Sequence, residues 1–239
     1  MKLIRSKDRK VANKVTPNGK QAKIANTFGL PAGKTFSCPG ETSVCRKICY
    51  AGKLEKIFPG VLNVLMENWN LLKDASFNTM VELLGTMVNE FRADCDKHDA
   101  EKLFRIHWDG DFFNDDYTRA WAYVIKSNAD IHFWVYTRVA SAVDILHDID
   151  NLSLYFSTDD DNKAIAFELK KKYESLKLAV LTQDFNGGLQ LCKDNDIKAV
   201  KCPENNKKIP LISNKGSACV SCGLCVNNRN NVLFSISKK

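Results

Sequence analysis

Short apolar runs alternate with longer amphipathic stretches through the middle of the chain. The apolar runs are five or six residues long and rich in β-branched and aromatic side chains, which is typical of buried strands. They cover residues 103–108, 131–136, 152–156, 176–181 and 197–201, and a further strand is predicted within 22–30. The pattern therefore predicts about six short strands.

The stretches between these runs have the length and periodicity of helices. One helix each is predicted at 117–126, 140–148, 162–173 and 188–194, and two amphipathic helices at 59–72 and 77–95. Strands that alternate with helices form βα units and a parallel sheet. About six strands do not close an eight-stranded barrel, so we expect an α/β fold of the partial (β/α)6 TIM-like barrel type. A doubly wound open sheet is the alternative.

The composition limits the class of protein. The chain has 239 residues, of which 44% are hydrophobic and 26% charged, and this suits one domain or one domain with a small appendage. No apolar run approaches the ~20 residues of a membrane span. No apolar region follows the basic N-terminus as it does in a secretory signal. We therefore expect a cytoplasmic protein without a membrane partner.

The net charge of +7 is unevenly distributed. Residues 1–34 carry a net charge of +8, residues 35–192 of −7 and residues 193–239 of +6. The basic ends favour a polyanionic partner such as a nucleic acid. A solvated basic arm and a charge balance against metal-bound thiolates are the alternatives. The predicted organisation is a basic N-terminal segment 1–34, a partial barrel 35–201 and a cysteine-rich segment 202–239.

Nine cysteines are the strongest chemical signal in the sequence. Three follow the first predicted strand with the spacing C-x6-C-x3-C, and three near the C-terminus have the spacing C-x2-C-x2-C, with a Cys-Pro pair upstream. Clustered thiols without a secretion signal indicate metal binding rather than disulfides. The predicted metal ligands are Cys38, Cys45, Cys49, Cys202, Cys219, Cys222 and Cys225.

The C-terminal run favours an iron–sulfur cluster over zinc. Zinc sites usually combine two separated C-x2-C pairs, whereas successive x2 spacings with a remote Cys-Pro match a [4Fe–4S] site with Cys202 as fourth ligand. One or two clusters are expected, with zinc as the alternative. The N-terminal trio has no evident fourth cysteine, because Cys95 and Cys192 resemble buried or incidental thiols. Three thiolates leave an open metal position, unless cysteines from both ends share one site.

Polar residues follow each predicted strand. In parallel βα folds the carboxyl ends of the strands form the active-site rim, although Asp, Ser and Thr are also ordinary helix caps. His107 lies two residues before Asp109, and strand alternation places both on one face, with Asp111 continuing it. A His–Asp pair suits acid–base or metal chemistry, and a structural histidine is the alternative. The candidate catalytic residues are His107, Asp109, Asp111 and Arg138.

Several blocks of sequence together resemble a known family. They read FGLPAGKTFSCPG with CRKICYAGK, then FRIHWDGDFFNDDYTRAW, then FWVYTR, and finally CP followed by C-x2-C-x2-C. This combination resembles the phage "gene product 88" domain family, over residues of about 23–225. The resemblance implies a phage-encoded protein of the host cytoplasm and brings little chemistry with it.

The layout also resembles the radical S-adenosylmethionine (SAM) enzymes, which have a three-cysteine loop after the first strand of a partial barrel. That superfamily carries C-x3-C-x2-C, so the resemblance concerns architecture rather than motif. It implies a cluster on the N-terminal trio whose fourth iron holds SAM. It also implies a reductant such as flavodoxin or ferredoxin. The residues that it assigns to SAM binding are Asp109, Gly110, Asp111, Thr137, Arg138, Ser157 and Thr158.

Two functions follow from these patterns. The first is an iron–sulfur enzyme of radical-SAM-like architecture that acts on a nucleic acid or another large substrate. The second is a non-catalytic nucleic-acid-binding protein of phage replication or host takeover, in which iron–sulfur or zinc is a structural metal and the basic ends bind phosphates. A scaffold that holds only zinc is the third hypothesis.

Overall fold

A parallel sheet of seven strands forms the centre of the protein. The computed structural model describes residues 1–8, 10, 24–213 and 216–237. The strand order in the sheet is β1-β2-β3-β4-β5-β9-β6, and every neighbouring pair is parallel. The strands are β1 Thr27–Gly29, β2 Leu103–Asp109, β3 His132–Thr137, β4 Leu152–Thr158, β5 Lys177–Thr182, β6 Ala199–Lys201 and β9 Asn231–Ser235, with a separate antiparallel pair β7 Ile212–Ser213 and β8 Gly216–Ser217.

Helices connect the successive strands, as the alternating pattern predicts. The helices are α1 Ser43–Ile48, α2 Tyr50–Ile57, α3 Pro59–Leu72, α4 Phe77–Lys97, α5 Asp115–Lys126, α6 Ala140–Leu146, α7 Lys163–Lys172, α8 Phe185–Asp194 and α9 Ala218–Cys222. Pro59 occupies the first turn of α3, where its missing N–H costs nothing. Ser76 caps α4, because its hydroxyl accepts a hydrogen bond from the Thr79 amide. Within the described residues, no helix is both long and apolar enough to cross a membrane.

The predicted α/β class and the parallel strands are confirmed, and the barrel is not. The sheet has seven strands instead of about six, and it stays open in the described residues, with β1 and β6 at its two edges. The additional strand is β9, which enters between β5 and β6. Its five residues lie within the predicted cysteine-rich segment 202–239, and local sequence alone does not reveal which strands β9 pairs with.

Strand alternation gives the sheet two buried faces of different composition. On the helix face, side chains such as Phe104, Phe133 and Val180 join one core with buried residues of α3 to α8. A doubly wound sheet has helices on both faces, and the described helices α3 to α8 share this single core. On the second face, Trp134 and Val232 belong to a smaller core that includes cysteines of the C-terminal segment.

The C-terminal segment is fixed to the second face by hydrogen bonds. The Val226 carbonyl lies 2.6 Å from His132 Nε2 and accepts from Ser153 Oγ at 2.6 Å. Tyr155 donates to the Asn230 carbonyl at 2.9 Å. The sheet thus contains β1 from the predicted segment 1–34 and β9 from the predicted segment 202–239, while the three-part division itself stays a prediction.

Candidate metal centres

The cysteine loop, residues 38–49, lies at the carboxyl edge of the sheet. The chain leaves β1 beside the end of β2, where the Leu30 amide donates to the backbone oxygen of Asp109 at 3.0 Å. It then passes the end of β3 so closely that a Cβ on Gly40 would lie 2.5 Å from the Arg138 oxygen. The structure therefore brings the N-terminal cysteines to the ends of the strands that carry the candidate rim residues.

Two carboxylates that follow β4 hold the cysteine loop. Asp159 accepts hydrogen bonds from Thr42 Oγ1 at 2.7 Å and from the Arg138 guanidinium at 2.6 Å, and its side chain is 1% exposed. Asp161 accepts from the Ser43 amide at 2.8 Å and from the Ser43 hydroxyl at 2.6 Å. Ser43 is the first residue of α1, and a carboxylate is favourable at a helix N-terminus. The end of β4 thus fixes the start of the helix inside the loop.

Asp111 joins the end of β2 to the end of β3. One of its oxygens accepts from Thr137 Oγ1 at 2.6 Å and from the Phe112 amide at 2.8 Å, and the other accepts from the Arg138 amide at 2.7 Å. Burial raises the pKa of Asp111 to about 6, against the opposite effect of these hydrogen bonds. Both oxygens of Asp111 therefore have partners within the protein.

The other predicted rim residues also have partners within the protein. Arg138 is ion-paired with Asp159, and the Arg138 side chain is only 13% exposed. Thr158 Oγ1 donates to Asn162 Oδ1 at 3.0 Å, and Asn162 Nδ2 donates to the Ser157 carbonyl at 3.0 Å. These contacts shape the turn from β4 into α7, and they leave SAM binding by these residues as a prediction.

The three thiols of the cysteine loop are partly exposed and have acidic neighbours. Burial raises the pKa of Cys38, Cys45 and Cys49. The charge of Cys49 also raises the pKa of Cys45, and the Asp109 carboxylate raises the pKa of both Cys38 and Cys49. Such mutual effects arise only between neighbouring groups. Cys49 caps α2, and its sulfur accepts a hydrogen bond from the Gly52 amide at 3.3 Å.

Asp109 has a buried carboxylate oxygen without a hydrogen-bond donor. The residue is 3% exposed, and its Oδ1 accepts from the Gly110 amide at 2.9 Å, whereas Oδ2 meets no donor among the residues that the structure describes. Burial, the negative charge of Glu55 and a hydrogen bond with the Glu55 side chain raise the pKa of Asp109 well above its usual range. Glu55 is held in place by the Ala32 amide at 2.7 Å. Gly110 itself has φ of 80°, and a Cβ there would lie 2.4 Å from Ser37 Oγ.

His107 does not share a face with Asp109, so the expected alternation is wrong at this point. His107 has a left-handed φ of 57°, and β2 contains extra residues relative to β1 between Arg105 and Asp109. The ring therefore enters the helix face, with Nε2 2.8 Å from the Tyr117 hydroxyl and the ring centroid 4.8 Å from that of Phe112. Burial, with the charge of Arg105, lowers the pKa of His107 to about 3.

Three of the four C-terminal cysteines pack against the small core of the second face, namely Cys202, Cys219 and Cys225. Burial raises the pKa of Cys225 to about 12, and the charges of Cys202 and Cys222 raise it as well. The charge of Cys225 likewise raises the pKa of Cys219. The Tyr136 hydroxyl forms a hydrogen bond with the Cys225 thiol. Cys202 after β6 and Cys219 in α9 are thus brought to the same face of the sheet, and all four cysteines are partly exposed.

Arg105 and Tyr50 connect the two cysteine groups, and the sequence analysis did not assign Arg105 a role. The guanidinium forms an ion pair with Asp8 and lies 5.2 Å from the ring centroid of Trp134. It also donates to the Tyr50 hydroxyl at 3.3 Å, next to the last residue of the cysteine loop. Its charge lowers the pKa of Cys219 on the other side, against the larger effect of burial. The presence of an arginine inside the apolar run LFRIHW is the sequence signal that could have indicated this role of Arg105.

The described side chains do not form a complete set of metal ligands. In the described part of the chain, no three His, Cys, Asp or Glu side chains are arranged so that they could hold a metal ion as they stand. The predicted metal ligands therefore stay a prediction.

Several basic residues of segment 1–34 are engaged within the protein. Lys2 pairs with Glu90 at 3.1 Å, Arg5 with Asp94 at 2.7 Å and Lys10 with Glu204 at 3.0 Å. The remaining basic residues of this segment include Arg9, Lys14, Lys20 and Lys23, which lie outside the described residues. Segment 1–34 therefore offers fewer unpaired basic side chains to a nucleic acid than its net charge indicates.

Comparison with known proteins identifies the family. The family model described as "Gene product 88" matches residues 1–228. The chain belongs to the gene product 88 family. Two relatives from phages carry the name "Gene 88 protein": that of Mycobacterium phage L5 is 53% identical over 243 residues, covering 100% of this chain and 99% of the relative. That of Mycobacterium phage D29 is 51% identical, covering 99% of each. No solved structure matches the chain.

Proposed function

We propose that this member of the gene product 88 family is an iron–sulfur protein, and that a [4Fe–4S] cluster is bound by Cys202, Cys219, Cys222 and Cys225. The proposal is supported by the packing of Cys202, Cys219 and Cys225 against the small core of the second face, and by the charge of Cys222, which raises the pKa of Cys225. The strand pair β7 and β8 lies between Cys202 and Cys219 in the chain, so their proximity does not follow from the local sequence. Three closely spaced cysteines with a remote Cys-Pro are the pattern of such clusters.

The surroundings of the four thiols support a bound metal centre. Burial raises the pKa of Cys219 and of Cys225 to about 12, so the metal-free thiols are protonated at neutral pH. A metal centre deprotonates its thiol ligands outright. The positive charges of Arg105 and Lys10 lower the pKa of Cys219 and so offset part of the negative charge that a thiolate cluster brings.

Metal analysis of the anaerobically purified protein tests this proposal. We expect iron and inorganic sulfide in equal amounts, about four of each per cluster, and a broad absorbance band near ~400 nm. Cys222→Ala should remove one cluster's share of iron, whereas Cys192→Ala, a buried cysteine of α8, is the matched control and should keep it. Stoichiometric zinc without iron, or equal iron in Cys222→Ala and the control, contradicts the proposal.

A radical-SAM-like enzyme is the second candidate function. It is favoured by the strand order, because β1 to β5 neighbour one another in chain order, as in the wall of a partial TIM-like barrel, and the three-cysteine loop follows β1. In this hypothesis the trio Cys38, Cys45 and Cys49 leaves one iron free for SAM, and an external reductant such as flavodoxin or ferredoxin supplies the electron. A nucleic acid or another large molecule is the substrate.

Cleavage of SAM tests the second candidate directly. Reconstituted protein is incubated with dithionite and SAM under anaerobic conditions, and 5′-deoxyadenosine is measured. Turnover that Cys45→Ala abolishes and Cys192→Ala preserves supports the enzyme. If the protein holds iron at the N-terminal trio and forms no 5′-deoxyadenosine, this candidate is excluded.

A further inference from the structure

Exposed apolar side chains are concentrated on one short stretch of the chain. Among the described residues, nine large apolar side chains are exposed, and four of them lie between residues 36 and 58, namely Phe36, Tyr50, Ile57 and Phe58. Single apolar side chains scattered over a surface are normal, whereas a concentrated group marks an interaction site. This stretch, which includes helix α2, therefore points to a binding surface.

Helix α2 turns one of its faces away from the protein. Ala51 is buried, and Glu55 Oε1 accepts a hydrogen bond from the Ala32 amide at 2.7 Å, so this side of α2 packs against the turn that follows β1. Residues with the spacing i, i+3 and i+7 lie together on another side of a helix. In α2 these residues are exposed, namely Tyr50, Lys53 and Ile57.

The ring of Tyr50 is held in a fixed position at the start of this face. Its hydroxyl donates to the Trp108 carbonyl at 2.8 Å and accepts from the Arg105 guanidinium at 3.3 Å, while the residue is 56% exposed. Both partners belong to β2, so the sheet itself fixes the ring. A ring that is rigid before binding loses little conformational entropy when a flat ligand stacks on it. Tyr50 is therefore suited to stacking.

The lysines around this face are not paired with carboxylates. Lys53 and Lys56 of α2 and Lys34 of the turn after β1 are exposed, and none of them forms an ion pair with another described residue. Glu55, the acidic residue of α2, instead faces inward to the Ala32 amide. A polyanion can therefore approach these lysines without displacing an existing partner.

Exposed rings and unpaired lysines together favour a single-stranded nucleic acid as the partner. Every base has a flat face that stacks on an aromatic side chain, and every phosphate carries a charge that a lysine neutralises. In a duplex the base faces are already stacked on one another. Protein interfaces are enriched in aromatic residues but depleted of lysine. The combination of side chains on α2 therefore fits a single strand better than a duplex or a protein.

We infer that the surface formed by Tyr50, Lys53, Lys56, Ile57 and Phe58 binds single-stranded nucleic acid, with bases on the rings and phosphates on the lysines. From the first of these residues to the fourth, the face is about 10 Å long at the helical rise of about 1.5 Å per residue, which suits a few nucleotides. The inference does not rest on the proposed iron–sulfur cluster, because none of the four C-terminal cysteines belongs to this surface. It also differs from binding by the basic chain ends.

Binding of a fluorescein-labelled oligothymidylate to the anaerobically purified full-length chain tests the inference. The probe has about 20 nucleotides, more than the ~4–16 that a small single-strand-binding domain covers. Fluorescence anisotropy is measured at several salt concentrations. The same strand within a duplex, and vesicles that contain phosphatidylserine, are tested beside it. Circular dichroism confirms the folding of each variant.

Removal of one exposed ring tests the stacking. We expect Phe58→Ala to bind the oligonucleotide at least about fivefold more weakly than the wild type, because one stacked base is lost. Tyr123→Ala, which removes an equally exposed ring from α5, is the matched control and should bind like the wild type.

Removal of two charges tests the phosphate contacts. In the double variant Lys53→Gln, Lys56→Gln, the slope of log affinity against log salt concentration should become less steep by about 1.4, at about 0.7 for each phosphate contact. The double variant Lys193→Gln, Lys198→Gln changes the net charge equally beside β6, at the other edge of the sheet, and should keep the slope.

Three results overturn the inference: no binding of the oligonucleotide at low salt, tighter binding of the duplex than of the single strand, or equal effects in the variants and their controls. Vesicle binding without oligonucleotide binding assigns the surface to a membrane and overturns it as well. Failure of the iron–sulfur proposal is a separate outcome, which metal analysis detects, and the comparison between each variant and its control is read in the same way.

Discussion

Three neighbouring residues of β2 perform three different tasks because one of them has an unusual backbone conformation. Arg105 lies between the two cysteine groups, His107 enters the aromatic core, and the charge of Asp109 raises the pKa of the Cys49 thiol. The left-handed φ of His107 breaks the alternation that would place all three on one side. A non-glycine residue in this conformation is strained, and the hydrogen bond to Tyr117 at 2.8 Å helps to hold it.

The buried His107 gives the protein a defined dependence on pH. Its pKa is about 3 in the folded protein, because burial disfavours the charged ring, and about 6.5 when unfolded. Its contribution to stability is therefore complete above pH 6.5 and is lost as the pH falls toward 3. We expect the free energy of unfolding of the wild type, relative to His107→Gln, to fall by about 2 kcal/mol between pH 6.5 and 5.

Urea denaturation at several pH values measures this difference, and His98→Gln at an exposed position is the control. The comparison between two chains cancels the contribution of Asp109 and of the other titrating groups. Parallel pH profiles for the wild type and His107→Gln contradict the prediction.

At the scale of elements, the strand ends act mainly as anchors for the cysteine loop. A six-residue helix such as α1 is too short to be stable by itself. Its start is fixed by Asp161, and the preceding turn is fixed by Asp159, both of which follow β4. The buried pair of Asp159 with Arg138 therefore connects the helix that carries Cys45 to the rigid sheet.

Removal of the charge of Asp159 should loosen the cysteine loop. Asp159→Asn leaves the Arg138 guanidinium buried without its counter-ion, which costs about 3–5 kcal/mol for a buried pair. We expect amide hydrogens of residues 42–48 to exchange at least about tenfold faster and the Cys45 thiol to be alkylated faster. Asp160→Asn is the matched control, because Asp160 is the adjacent residue and its side chain is 68% exposed and pairs with Lys163. Equal exchange in the two variants contradicts the role of Asp159 as an anchor.

At the scale of the whole molecule, the last strand in the chain lies inside the sheet and not at its edge. β9 pairs with β5 on one side and with β6 on the other, and its Val232 and Leu233 are fully buried. The C-terminal cysteine segment must therefore fold back over the second face before the sheet is complete. The cysteine-rich segment thus supplies both an interior strand of the sheet and side chains of the second-face core.

Deletion of β9 should prevent folding, although it removes no cysteine. A chain that ends at Asn230 leaves β5 and β6 without their shared neighbour and exposes apolar surface on both faces. We expect it to be insoluble or to lack cooperative thermal unfolding, whereas a chain that ends at Ser237 should melt like the wild type. Circular dichroism during heating measures both, and a cooperative transition in the shorter chain contradicts the prediction.

The sequence by itself determined the local secondary structure and the two groups of cysteines. Period-2 and helical patterns located strands at residues 103–108 and 152–156 and a helix at 59–72, because burial of one face leaves a repeat in the sequence. The spacing of the cysteines indicated two groups of thiols, since ligands to one centre are close in sequence where short turns allow it.

Only the tertiary structure decided which residues meet. The insertion of β9, the entry of His107 into the core, and the burial of Asp109 depend on packing between segments far apart in the chain. Asp109 and Asp111 are both acidic residues beside the same glycine, yet one has a free buried oxygen and the other has none to spare. The sequence of one segment shows how often its residues are buried. The hydrogen-bond partner of a buried polar atom depends on the strand or loop that packs beside it.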